Sequence, residues 1–150
     1  MSQLLQHDAF PMLALCASYL IFMMIAIGHI TGTIRIKRSV AANSEDIETF
    51  RLKTGDTSVS DPDVARYERI HRNQLESTLP FVAVGMIYLA TGPSAGLATG
   101  LIIAFTILRT VFTICYISKI QPWRSISFQC AELCLVVMII QIGWYGLTHL

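Results

Sequence analysis

Charge is scarce in this sequence. Charged residues make up 14% of its 150 positions and apolar ones 53%, whereas a soluble domain carries about a quarter charged residues. That composition excludes an ordinary soluble fold and indicates a membrane protein. Lysine and arginine are missing from both ends of the chain and from the turn at 92–96. There is no low-complexity tract and no internal repeat, which argues against a pore or transporter built from inverted repeats. No basic patch interleaves with aromatics, so nothing suggests nucleic acid, on which a formal charge of +1 is silent. The alternation of a β-barrel strand is also absent, so the backbone must satisfy itself within helices. Cysteine is sparse. Cys16, Cys115, Cys130 and Cys134 all fall inside apolar stretches, and the spacing of the last two suits neither a CxxC motif nor a zinc knuckle. They read as small buried residues with inert thiols.

Four apolar segments are present, at about 9–33, 63–91, 95–118 and 123–147. Each reaches the roughly 20 residues that a helix needs to cross a hydrocarbon core. The expected fold is all-α and integral to the membrane: a four-transmembrane-helix bundle forming a single domain over 1–150. In the second segment only Leu79 to Ala90 is purely apolar. That segment spans only if its charged N-terminal third lies against protein or in a wet cavity.

Boundary signals agree with these spans. Asp61 reads as an N-cap, Pro62 as the first helical residue and Asp63 as a favourable charge for the helix dipole. Gly92-Pro93 closes that helix, and Pro122 opens the last one. Pro80 should kink the second helix and free a carbonyl near Glu76. Trp123, Trp144 and Tyr145 stand at the ends of the fourth segment, where interfacial aromatics belong. Basic residues cluster between segments one and two (Arg35, Lys37, Arg38, Arg51, Lys53, Arg66, Arg69, Arg72) and between three and four (Lys119, Arg124). The positive-inside rule therefore makes the loops at 35–61 and 119–123 cytosolic and both termini lumenal. The first segment has no basic n-region or cleavage site and reads as a retained anchor.

The chemistry must come from polar groups close to the membrane. At helical spacing Arg69, Arg72, Asn73 and Glu76 share one face. Two cations, an amide and a carboxylate on one stripe match a zwitterionic ligand with several carboxylates. Arg109 is flanked by apolar turns, with an ion pair to Glu76 as its structural explanation. Tyr116 follows two turns along the same face. Glu132 either pairs with an arginine of another helix or is protonated. No second histidine stands near His71, which argues against a metal site. Lys37 and Arg38 fit headgroup contacts at a cytosolic helix end, and Arg35 is the one of the three nearest the helix.

Several runs together resemble one family: Thr31-Gly32-Thr33-Ile34-Arg35, Ala42-Asn43-Ser44-Glu45-Asp46, Asp61-Pro62-Asp63-Val64, His71-Arg72-Asn73-Gln74-Leu75-Glu76 and Arg124-Ser125. The family is the membrane-associated proteins in eicosanoid and glutathione metabolism (MAPEG), in its microsomal glutathione transferase and prostaglandin E synthase branch. The resemblance covers nearly the whole chain. It implies a homotrimer of four-helix subunits in the endoplasmic reticulum membrane, binding glutathione between subunits near the cytosolic face. Its implied glutathione cradle is Arg35, Arg69, Arg72, Asn73, Glu76, Arg109 and Tyr116, with Phe128 alongside, and Arg124 and Ser125 face the sulfur. Asp46 matches an acid paired with the catalytic arginine, although a helix cap explains it equally well.

The implied activity is thiolate stabilisation by Arg124 and Ser125 for attack on lipophilic electrophiles or lipid peroxides. Alternatives within the family are isomerisation of prostaglandin H2 to E2 and a non-catalytic lipid-presenting scaffold. Phe112 stands where the synthase pattern has a histidine, and Phe128 where it has a tyrosine. Gln129 and Glu132 replace a threonine and a glutamine. These departures favour general transfer, while Asp61-Pro62-Asp63-Val64, the C-terminal end and Arg124-Ser125 lean towards the synthase. The retained arginines, Asn73 and Glu76 weigh against the scaffold.

Overall fold

The computed structural model describes residues 2–41, 43–50 and 61–150. Among these residues there are helices and no strand. The helices are α1 (Ser2–Gln6), α2 (Phe10–Arg38), α3 (Ser44–Phe50), α4 (Pro62–Ala90), α5 (Ala95–Ile117) and α6 (Trp123–Thr148). Among the described residues α2, α5 and α6 are long and apolar enough to cross a membrane. α4 has the length, at 29 residues, but its first half carries the acids and arginines of the polar stripe.

The helix from the first apolar segment continues beyond residue 33, through Arg35, Lys37 and Arg38 in its last turn. Cations there meet the helix's unpaired carbonyls favourably. Residues 51–60 of the expected cytosolic loop, with Arg51 and Lys53, lie outside the described residues.

The chain divides into two compact units, Phe22–Leu75 and Met1–Ile21 with Glu76–Leu150. In the first unit the capping signal takes the expected form. Asp61 Oδ1 accepts from the Asp63 amide at 2.9 Å and the Val64 amide at 3.2 Å, satisfying two donors that the helix cannot pair internally. Arg38 reaches Asp63 at 3.1 Å and Asp61 at 3.8 Å, while Arg66 holds Asp63 at 3.0 Å. These contacts tie the end of α2 to the start of α4. Ile70 and Gln74 are fully buried. Gly28 lets the His71 ring approach, because a Cβ at Gly28 would stand 3.2 Å from Nε2.

The second unit is an apolar core. The rings of Phe81 and Phe105 stack with centroids 4.3 Å apart, and Leu20, Tyr88, Ile102, Ala131 and Met138 are fully buried. α5 and α6 pack along each other. At Gly85 a Cβ would fall 2.8 Å from Leu13 Cδ1, so only glycine admits that approach. Tyr88 donates to Gln141 Oε1 at 2.9 Å, which satisfies a buried phenol. Gly92 ends α4 at φ +71°, the left-handed exit that glycine adopts freely. His7 accepts from the Ala9 amide through Nδ1 and donates through Nε2 to the Pro93 carbonyl at 2.9 Å. That bond tethers the N-terminal turn to the α4–α5 connection. Trp123 and Trp144 point outward, 61% and 70% exposed, as interfacial anchors do.

Candidate functional site

The polar pocket of the first unit lies between α2 and α4 and has a volume of about 490 Å³, within the range of small-molecule sites. Gly28, Gly32 and Arg35 of α2 line it, as do Glu68, His71 and Arg72 of α4. Its charge is mixed. Arg35 Nη2 forms an ion pair with Glu68 Oε1 at part-buried positions. Arg35 Nε is buried and finds no acceptor among the described residues. Gly32 contributes open space, since a Cβ there would meet nothing within 4 Å.

The expected stripe lies on α4. Arg69, Arg72 and Glu76 are exposed and Asn73 half-buried, while Ile70, Gln74, Ser77 and Phe81 are buried. The residue spacing separates these two sets around the helix. Asn73 Nδ2 also donates to the Arg69 carbonyl one turn back, at 2.8 Å.

A second group forms where α5 meets α6. Arg109 is fully buried. Its guanidinium stands 4.5 Å from the Phe112 ring centroid and 5.6 Å from that of Phe128. The charge of half-buried Glu132 on α6 acts on Arg109, while Glu76, the acid expected to pair with it, is exposed on α4. An electron-rich ring face attracts a desolvated cation, so two rings and one carboxylate together make this burial tolerable. Phe112 is also edge-on to Tyr116 at 5.5 Å and 5.6 Å from Phe128. On the other side of Tyr116 stands the Arg124 guanidinium, 4.5 Å from the ring centroid. Ser125 follows Arg124 in the first turn of α6. With its carbonyl turned towards Arg124, Gln121 accepts from Arg124 Nε at 3.1 Å and from Nη2, and its amide nitrogen is 3.3 Å from Ser125 Oγ.

Asp46 sits in the first turn of α3. Its Oδ2 accepts from the Asn43 amide at 3.1 Å, and its own amide donates to the Asn43 carbonyl at 3.2 Å. That reciprocal geometry is a helix cap. Among the described residues no group of three or more His, Cys, Asp or Glu side chains is placed to hold a metal.

Thus Arg35 and Arg72 line one pocket, and Arg109, Tyr116, Arg124, Ser125 and Phe128 gather in one cluster. Sequence reasoning missed Glu68, whose signal was an acid one turn before Arg72 that needed a partner. It missed Gln121 too, which carries no signal. Phe112, read only as a missing histidine, turns out to be the ring that links Arg109 to Tyr116.

Comparison with known proteins gives the chain its family. The chain is 34% identical to prostaglandin E synthase of Homo sapiens over 152 residues, covering 99% of this chain and 97% of that protein. It is 35% identical to the Mus musculus prostaglandin E synthase over 143 residues, covering 93% and 91%. It is also 30% identical to microsomal glutathione S-transferase 1 of Homo sapiens over 131 residues, covering 85% and 84%. The model of the MAPEG family matches residues 13–144, a stretch that takes in the polar pocket, the α4 stripe and the arginine–aromatic cluster. By that match and these relatives, the chain belongs to the MAPEG family.

Proposed function

We propose that this chain is a membrane-bound glutathione transferase that stabilises the glutathione thiolate for attack on lipophilic electrophiles or lipid peroxides. The observation that carries the reading is Arg124 stacked on Tyr116, with Ser125 beside it at the start of α6. Bound glutathione supplies a thiol whose ionised form is the nucleophile. The guanidinium of Arg124 provides fixed positive charge and Ser125 a hydroxyl donor, and both favour that form. Gln121, turned as described, holds Arg124 through Nε and Nη2 and leaves the Ser125 proton for the sulfur. Phe128 borders the group with half-buried apolar surface suited to a lipophilic partner.

The mixed charge of the α2–α4 pocket fits glutathione, which carries two carboxylates and one ammonium. Arg35, Arg69 and Arg72 suit the carboxylates and Glu76 the ammonium, with Asn73 as an orienting amide. The uncommitted Arg35 Nε supports that fit. Arg109 acts from beneath, holding Phe112 and Phe128 in place under Tyr116. We assign Asp46 to the cap of α3.

In this reading residues 1–150 are a single domain. α2, α4, α5 and α6 cross the endoplasmic reticulum membrane as a bundle, and three copies form a homotrimer. The exposed charges of α4 support the trimer, because an outward stripe at membrane depth needs cover that a second copy can supply. Glutathione then lies between neighbouring subunits. The basic residues support cytosolic loops at 35–61 and 119–123 and lumenal termini.

A second reading, isomerisation of prostaglandin H2 to E2, is favoured by the full-length similarity to the prostaglandin E synthases. The test is turnover by purified protein with glutathione, offered prostaglandin H2 and a halonitrobenzene in parallel. Conjugation without prostaglandin E2 supports the transferase. Fast, selective prostaglandin E2 formation moves the chain to the second reading. Absence of both activities, with no glutathione binding, removes both and leaves a lipid-presenting scaffold.

A further inference from the structure

We infer that Glu68 is a positioning residue that fixes Arg35 for a glutathione carboxylate, a role that rests on the glutathione-binding reading above. The pair joins α2 to α4 across the rim of the pocket, with side chains 31% and 41% exposed. An ion pair that open to solvent adds little to stability, so holding the fold together does not account for it. Its consequence is conformational. Arginine is a long side chain with many rotamers, and Glu68 holds this one by Nη2. A guanidinium carries five donors in a rigid fork. With Nη2 engaged and Nε lacking an acceptor among the described residues, donors remain for a ligand that enters the pocket. The cavity beside it, about 490 Å³, is wide enough for one.

Two effects of Glu68 oppose each other. Its negative charge competes with an incoming carboxylate, and its grip removes the cost of ordering Arg35 at the moment of binding. Arg72 lines the same pocket, so two cations face one carboxylate and the pocket stays attractive to anions. Solvent at the rim also weakens the competing charge more than it weakens the ordering, which is a matter of geometry. Pre-organisation therefore wins, and removing Glu68 weakens binding.

The experiment is calorimetric titration of glutathione into the full chain in detergent, for wild type, Glu68→Gln, Arg35→Ala and the double variant. Glu68→Gln should raise the Kd about fivefold, the scale of one immobilised side chain, with kcat at saturating glutathione unchanged. Glu68→Asp should recover part of the loss. In the Arg35→Ala background the effect of Glu68→Gln should vanish. Equal or tighter binding by Glu68→Gln overturns the inference, since Glu68 is then irrelevant or a competitor. Weakening that persists without Arg35 overturns it as well, since Glu68 then acts on the ligand directly. The isosteric Gln change should leave the thermal midpoint near that of wild type; a large fall together with lost binding would make the pair structural. A wild-type protein that binds no glutathione sinks the functional reading itself, a result distinct from binding that ignores Glu68.

Discussion

The two regions that carry arginines treat the same side chain in opposite ways. Between α2 and α4 the cations are at least partly open to solvent and carboxylates restrain them: Arg35 by Glu68, Arg38 by Asp61 and Asp63, Arg66 by Asp63. Between α5 and α6, Arg109 has no exposure at all and is held by two phenyl rings and the charge of Glu132. Water reaches every pair of the first set, so each adds little to stability and leaves donors that a ligand can use. Arg109 is shut off from bulk water, so the groups packed against it matter for stability. Ligand binding suits the first region, and rigid support of Tyr116 and Arg124 suits the second.

The contrast can be broken or sharpened by substitution, and the largest effect expected is on chemistry. Arg124→Ala should lower kcat by about 100-fold or more, as removal of a preorganised charge stabiliser does, with a smaller change in glutathione affinity. Near-normal turnover in steady-state assays would remove Arg124 from the mechanism. Next comes stability in the buried region. Glu132→Leu removes a carboxylate that acts on the buried Arg109 and should cost about 1–3 kcal/mol, the scale of a buried polar group made worse satisfied, read as a lower thermal midpoint in detergent. An unchanged midpoint would mean that the rings alone suffice. Phe112→Leu stays apolar but loses the ring face and some volume, costing about 1–2 kcal/mol, and it should also loosen Tyr116. The smallest effect belongs to the surface network: Arg38→Ala should move stability by about 1 kcal/mol or less. If it matched Glu132→Leu, the distinction between the two regions would fail.

Much of this was legible beforehand because it depended on local rules. The Asp61 cap, the glycine exit at Gly92 and the grouping of Arg69, Arg72, Asn73 and Glu76 follow from helix geometry and side-chain chemistry within a few positions. The three apolar spans follow from length and composition. The surroundings of Arg109 were not legible, because the Phe112 and Phe128 rings and the Glu132 charge reach it only through the packing of α5 on α6. The contacts of Phe112 were hidden for a related reason. A phenyl ring in an apolar helix looks like generic core until its neighbours place a guanidinium over its face.

Sequence by itself determined the material: an all-helical chain, its membrane-crossing stretches, its capping residues and its supply of arginines, since these depend on composition and on periodicity along one helix. Tertiary structure decided the pairings. Arg35 with Glu68, Arg109 with Phe112 and Phe128, and Arg124 with Tyr116 are meetings of separate helical turns or separate helices. A side chain's chemistry limits which partners it accepts, and packing in three dimensions selects the one it gets.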